Sequence, residues 1–157
     1  MEIESKEKIR ILYVDDEENN LQAFKATFRR EFKIFVGISA KEGEEILARE
    51  PIDIIITDQR MPEKTGVEFL ESIIPNYPEP IRILLTGYTD IQAVIDSINK
   101  GQVYHYLTKP WEEDYLRTVI KNAFEVYSLR RENERLTKAL IKSNEQLEFL
   151  LRQNLLS

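Results

Sequence analysis

The chain has 157 residues, room for one domain of ordinary size and an appendage, and its 42% hydrophobic content is enough to bury a core. A formal net charge of -6 offers no general attraction to nucleic acid or acidic membrane, and the absence of cysteine excludes disulfides and thiolate metal sites. The charged start, Met1 to Lys8, lacks a signal-peptide core, and no stretch approaches the roughly 20 apolar residues that span a bilayer, so a soluble, cytoplasmic protein is expected.

Taken in chain order, β-rich runs alternate with amphipathic helical ones. Ile9 to Val14 reads as a first strand, ending in Asp15 and Asp16. Lys33 to Ile38 reads as the second, and Ser39 with Glu42 opens the helix after it as a capping box. The third, Ile52 to Thr57, is apolar almost throughout and runs into Asp58; Thr65 with Glu68 caps the next helix. Pro75, Pro78 and Pro80 close that helix and set the entry to a fourth strand, Ile81 to Thr86. Thr89 with Gln92 then caps a fourth helix, and Val103 to Leu107 forms a fifth strand leading through Thr108 into Lys109 and Pro110. Repeated strand–helix alternation predicts an α/β fold with a parallel sheet.

From about Glu112 to Leu155 there is no Gly or Pro, so one helix is expected to start at the end of the domain and run on beyond it. Val126, Leu129, Asn133, Leu136, Leu140, Ser143, Leu147, Leu150 and Asn154 fall on heptad a and d positions. A lone Asn at an a position favours an in-register parallel dimer. The same stripe could instead dock onto the domain or onto a further one, and Ser143 interrupts the leucines. Arg130, Arg131, Arg135 and Lys138 are interleaved with glutamates and read as a solvated face.

The strand ends carry the chemistry. In a parallel sheet Asp15, Asp16, Asp58, Thr86 and Lys109 gather on the carboxyl edge, where open α/β sheets place their ligands. Asp15, Asp16 and Glu17 alone could simply favour the start of the first helix. Together with Asp58, however, the acids would repel unless a cation lay among them, and oxygen-only ligation with room for water suits Mg²⁺. A hydroxyl and an ammonium beside them suit a phosphoryl group.

Asp15-Asp16, Asp58 followed by Met61-Pro62 and Gly66, Thr86-Gly87 and Lys109-Pro110 resemble the receiver domain of two-component response regulators. The resemblance covers about residues 9–127 and implies a doubly wound, flavodoxin-like fold of five parallel strands in the order 2-1-3-4-5. It implies that Asp58 accepts a phosphoryl group from a sensor histidine kinase or a histidine phosphotransfer protein. Asp16, Asp58 and the backbone carbonyl of Arg60 would bind Mg²⁺, with Asp15 acting through a water or hydrogen bond. Thr86 and Lys109 would hold the phosphoryl oxygens, and a cis Lys109-Pro110 bond would turn the ammonium into the site. The resemblance also implies a switch, in which Thr86 moves inward, Tyr106 fills the vacated space, and the face of the fourth helix, fifth strand and fifth helix is remodelled. Arg60 and Tyr88 would flank the path of hydrolytic water, and their bulk predicts slow autodephosphorylation.

Other residues take structural roles: His105 packs between tyrosines in the fifth strand, and Trp111 packs at a helix start. The expected layout is an arm over residues 1–8, the receiver over 9–127, and a helix over 128–157 that pairs with its twin and leads to an effector outside the sequence. A coiled-coil scaffold with a vestigial acidic site is the alternative in another class. A phosphotransferase using an aspartyl phosphate would need a cap domain and a substrate pocket, for which no residues remain, so the chain is expected not to be an enzyme in its own right.

Overall fold

The computed structural model describes residues 7–87, 90–95 and 99–156. Among the described residues ten elements alternate along the chain: β1 (Arg10–Val14), α1 (Glu18–Phe28), β2 (Lys33–Gly37), α2 (Ala40–Arg49), β3 (Ile54–Asp58), α3 (Gly66–Ile73), β4 (Ile81–Thr86), α4 (Ile91–Ile95), β5 (His105–Thr108) and α5 (Glu113–Leu156). The strands form one five-stranded sheet in the order β2-β1-β3-β4-β5, and every neighbouring pair is parallel. The capping box at Thr89 and Gln92 and the position of Tyr88 lie outside the described residues.

Burial follows position in the sheet. Every residue of β3 and β4 is buried, as central strands covered on both faces require, whereas the edge strands β2 and β5 are only partly covered. Along β1 the side chains alternate between two cores. Leu12 and Val14 pack with Ile55, Phe69, Leu70 and Ile46. Tyr13, on the opposite face, stacks on Phe24 with ring centroids 4.3 Å apart, and Trp111 adds its edge to Phe24 at 6.0 Å. Trp111 thus packs before the last helix, as its position suggested.

At two of the expected capping boxes the N-cap bond forms. Ser39 Oγ accepts the Glu42 N–H at 3.1 Å, and Thr65 Oγ1 accepts the Glu68 N–H at 3.2 Å. Each satisfies an amide that a first helical turn leaves unpaired.

Two strands begin two residues later than their hydrophobic runs. Before β3, the Arg10 N–H bonds the carboxylate of Asp53 at 2.9 Å instead of a ladder carbonyl. Before β5, the buried guanidinium of Arg82 takes the carbonyls of Gly101 at 3.1 Å and Gln102 at 3.3 Å, and Gln102 sits at φ 48°. In both places a polar side chain captures backbone groups that regular pairing would have used.

The chain divides into two compact units, Met1–Phe124 and Glu125–Ser157. In the first unit, Leu116, Ile120 and Ala123 of α5 are buried. In the second, the helix continues with Leu129, Leu136, Leu140, Leu147 and Leu150 all exposed. Lys138 pairs with Glu134 and Arg152 with Glu148 one turn away, the arrangement of a solvated face. Among the described residues, no helix is long and apolar enough to cross a membrane.

Candidate functional site

The parallel register delivers the polar strand ends to one edge. Val14 lies beside Thr57, Asp58 beside Leu85, and Thr86 beside Thr108, so Asp15, Asp58, Thr86 and Lys109 follow one another across the sheet. Carboxylate oxygens of Asp15, Asp16 and Asp58 all lie within 4.8 Å of one another. Lys109 spans two of them, with Nζ 3.1 Å from Asp15 Oδ2 and 3.1 Å from Asp58 Oδ1.

Asp15 is fully buried and surrounded by donors. Its Oδ2 accepts the Tyr13 hydroxyl at 2.8 Å and the Asn20 amide at 3.1 Å, and its Oδ1 accepts the Glu17 N–H at 3.0 Å. Tyr13 and Asn20 are partners that sequence reading missed. The signal for Tyr13 was its spacing of two from Asp15, which puts both side chains on one face of the strand. Burial and the neighbouring carboxylate push the Tyr13 phenol upward, so the ring keeps its proton and remains a donor.

Asp58 sits at the last position of β3, nearly buried, where Oδ1 accepts the Gln59 N–H at 2.9 Å as well as the Lys109 ammonium. Burial raises its pKa above the usual carboxylate value, and the nearby Asp15 adds to the rise; Lys109 and the Gln59 N–H oppose it without prevailing. Lys109 is raised as well: burial lowers it, but its bonds to Asp58 and Asp15 outweigh that. The ammonium is therefore the stable form, held by two carboxylates.

The turn after Asp58 is tight. Lys64 N–H bonds the Pro62 carbonyl at 2.8 Å around Glu63 at φ 70°, the rarer and more strained of the γ-turns. Gln59 anchors the far side, accepting the Val67 N–H on its side chain at 3.0 Å and the Gly66 N–H on its carbonyl at 3.0 Å. The carbonyl of Arg60 accepts no backbone hydrogen bond from the described residues. Its guanidinium pairs with Asp90, Nε to Oδ2 at 2.8 Å and Nη2 to Oδ1 at 3.0 Å.

Thr86 ends β4 fully buried, with Oγ1 3.5 Å from the Gly87 carbonyl. The Lys109 N–H bonds the Thr86 carbonyl at 2.9 Å, and the Lys109-Pro110 bond is cis. Tyr106 is 42% exposed and points away from the core. His105 lies among aromatic rings, with Nε2 3.4 Å from the Tyr115 hydroxyl, matching the packing role expected of it.

Three oxygen donors that can converge on one point, with an ammonium beside them, fit a hard divalent cation and an anionic phosphoryl group. Residues 11–121 match the family model of the response regulator receiver domain. The chain is 37% identical over 147 residues to the hydrogenase transcriptional regulatory protein HoxA of Cupriavidus necator, covering 94% of this chain and 30% of that protein. It thus spans under a third of that relative's length. Among solved structures, it resembles the signal receiver domain of an HD domain-containing protein from Pseudomonas fluorescens Pf-5, with TM-score 0.75, 30% identity, and coverage of 81% of this chain and 94% of that one. An adenylate cyclase structure from Rhodopirellula baltica gives TM-score 0.78, 28% identity, and coverage of 83% and 98%. The chain belongs to the response regulator receiver family.

Proposed function

We propose that Asp58 is the phosphoacceptor of this receiver and that the carboxyl edge of the sheet performs the transfer. The observation that carries this reading is the placement of Lys109 Nζ at 3.1 Å from both Asp58 and Asp15. Asp58 Oδ1 is occupied by Lys109 and the Gln59 N–H, which leaves Oδ2 to attack phosphorus. As the Oδ2–P bond forms, the P–N bond of a phosphohistidine on the donor breaks, and the departing imidazole keeps the electron pair and takes up a proton. Transfer of this kind asks chiefly for position and charge neutralisation.

Asp16, Asp58 and the Arg60 carbonyl would hold Mg²⁺, with Asp15 acting indirectly, since four donors already occupy its oxygens. When bound, the metal neutralises charge on the acids and the phosphoryl oxygens. Lys109 pairs with one phosphoryl oxygen, and the Thr86 hydroxyl at the neighbouring strand end donates to another. Tyr106, now exposed, follows Thr86 inward, and the surface formed by α4, β5 and α5 changes.

In this reading the donor is a sensor histidine kinase or a histidine phosphotransfer protein, the protein acts in the cytoplasm, and the chain catalyses nothing beyond its own phosphorylation and dephosphorylation. The stripe of exposed leucines on the second unit supports pairing with a second copy in parallel. The layout is then an arm over 1–8, the receiver over 9–127, and a pairing helix over 128–157. HoxA extends well beyond the matched region, and an effector that reads the paired helix is part of the proposal.

Acetyl phosphate with Mg²⁺ tests the reading. The expected result is one added phosphoryl group by intact mass, lost in Asp58→Asn and in chelator. Labelling that survives Asp58→Asn would overturn it.

A further inference from the structure

The acidic edge opens into a cleft of about 460 Å³ whose lining includes Asp16, Gln59, Arg60, Met61, Asp90 and Val94. One ion pair bridges two sides of this cleft: Arg60, two residues after Asp58, and Asp90, next to the start of α4, are joined by both guanidinium contacts described above. The Asp90 end is anchored by backbone. Its N–H bonds the Gly87 carbonyl at 3.1 Å, and its carbonyl accepts the Val94 N–H at 3.0 Å. The Arg60 end lies in solvent, its side chain 75% exposed while that of Asp90 is 20% exposed.

Charge decides what this pair does when the site is loaded. A phosphoryl group brings close to two negative charges and several strong acceptors, and arginine binds such oxygens in the same forked geometry it uses for a carboxylate. Asp90 offers a single charge, and the exposure of the Arg60 side chain keeps such an ion pair weak. The phosphoryl oxygens therefore compete with Asp90 for one guanidinium.

We propose that Asp90 is a positioning residue for phosphoryl transfer: it holds the Arg60 guanidinium aside in the resting site and shares it with the phosphoryl group after transfer. This rests on Asp58 being the phosphoacceptor. Asp90 thereby shortens the life of the phosphorylated state, because every moment Arg60 spends on Asp90 leaves the phosphoryl group less shielded from water. The exchange of partners also ties occupancy of Asp58 to the beginning of α4.

The test is the decay of phosphorylated full chain, labelled with acetyl phosphate and followed by intact mass, for wild type, Asp90→Asn, Arg60→Ala and the double variant. Asp90→Asn should lengthen the lifetime about two- to fivefold, the range a solvent-accessible ion pair commands. Arg60→Ala should shorten it, and Asp90→Asn should change nothing further in the Arg60→Ala background. Lifetime is the useful readout because, once labelling is complete, it does not depend on how the charge at Asp90 attracts the donor. An unchanged lifetime in Asp90→Asn, or an equal lengthening with and without Arg60, would overturn the role of Asp90 while leaving Asp58 as acceptor. Failure of wild type to label on Asp58 would remove the underlying reading and this one with it.

Discussion

Gly66 is pressed against the backbone of Asp58: a β-carbon at Gly66 would overlap the Asp58 carbonyl oxygen and stand 2.8 Å from Leu84 Cδ1. The first turn of α3 can approach the end of β3 this closely only because the side chain is missing. Gly66→Ala should therefore destabilise the protein by about 1–3 kcal/mol, as overpacking does, and reduce phosphorylation by displacing the carboxylate. Urea unfolding and acetyl phosphate labelling on the same preparation check this; an unaltered midpoint would contradict it.

The buried Asp15 carboxylate depends on Tyr13. Removing the hydroxyl in Tyr13→Phe deletes a 2.8 Å bond to a charged acceptor while preserving the stack on Phe24. The expected loss is about 1.5–3 kcal/mol in denaturant titration. A smaller loss would mean that Asn20, Glu17 N–H and Lys109 suffice for Asp15.

Asp58 gives a pH signature. Its folded pKa is raised, chiefly by burial, so the fold prefers the protonated acid. That contribution to stability is complete below the unfolded pKa of about 3.9 and is lost as pH rises through the raised folded value. At pH 7 without divalent cations, ionised Asp58 is therefore a liability, and Asp58→Asn should be more stable than wild type. The advantage should fade toward pH 4 and shrink when Mg²⁺ is added. Urea midpoints at the two pH values, with chelator and with Mg²⁺, decide it; a wild type more stable than Asp58→Asn at pH 7 in chelator would refute it.

Under the proposed pairing, the exposed leucines set the oligomeric state. Each of Leu129, Leu136, Leu140, Leu147 and Leu150 could contribute about 1.5–3 kcal/mol when buried against a twin, before entropy costs. The full chain should be a dimer by light scattering, with or without beryllofluoride. Truncation after Tyr127 should give a monomer that still labels with acetyl phosphate. Leu140→Glu in the full chain should also give monomer, and a full chain that is monomeric from the outset would count against the pairing.

Much of this was legible in the sequence because the informative residues sit at boundaries. Asp58, Thr86 and Lys109 each follow a hydrophobic run, so parallel pairing alone brings them to one edge. Ser39 and Thr65 announced their helices because capping is local chemistry. What stayed hidden depends on distant partners. Arg82 sits within an apolar strand, and nothing nearby in sequence shows that it binds carbonyls about twenty residues away. Asp90 is 30 positions from Arg60, and its pairing exists only once two loops face each other. The late start of β5 has the same origin: hydrophobic pattern marks Val103, but the guanidinium of Arg82 claims the carbonyls before it.

Lys109 is the charged member of the site farthest along the chain, 94 positions from Asp15, and it hangs from β5, a four-residue strand paired on one side only. Edge strands of this kind open locally at far lower free energy than a sheet centre. When β5 frays, the ammonium leaves while Asp58 stays fixed in fully covered β3. Acids left without their counter-charge repel an incoming anion, so the frayed molecule is folded yet chemically silent. Amide exchange along β5 should therefore track readiness to accept a phosphoryl group, and a partner that clamps β5 should sensitise the site without touching it.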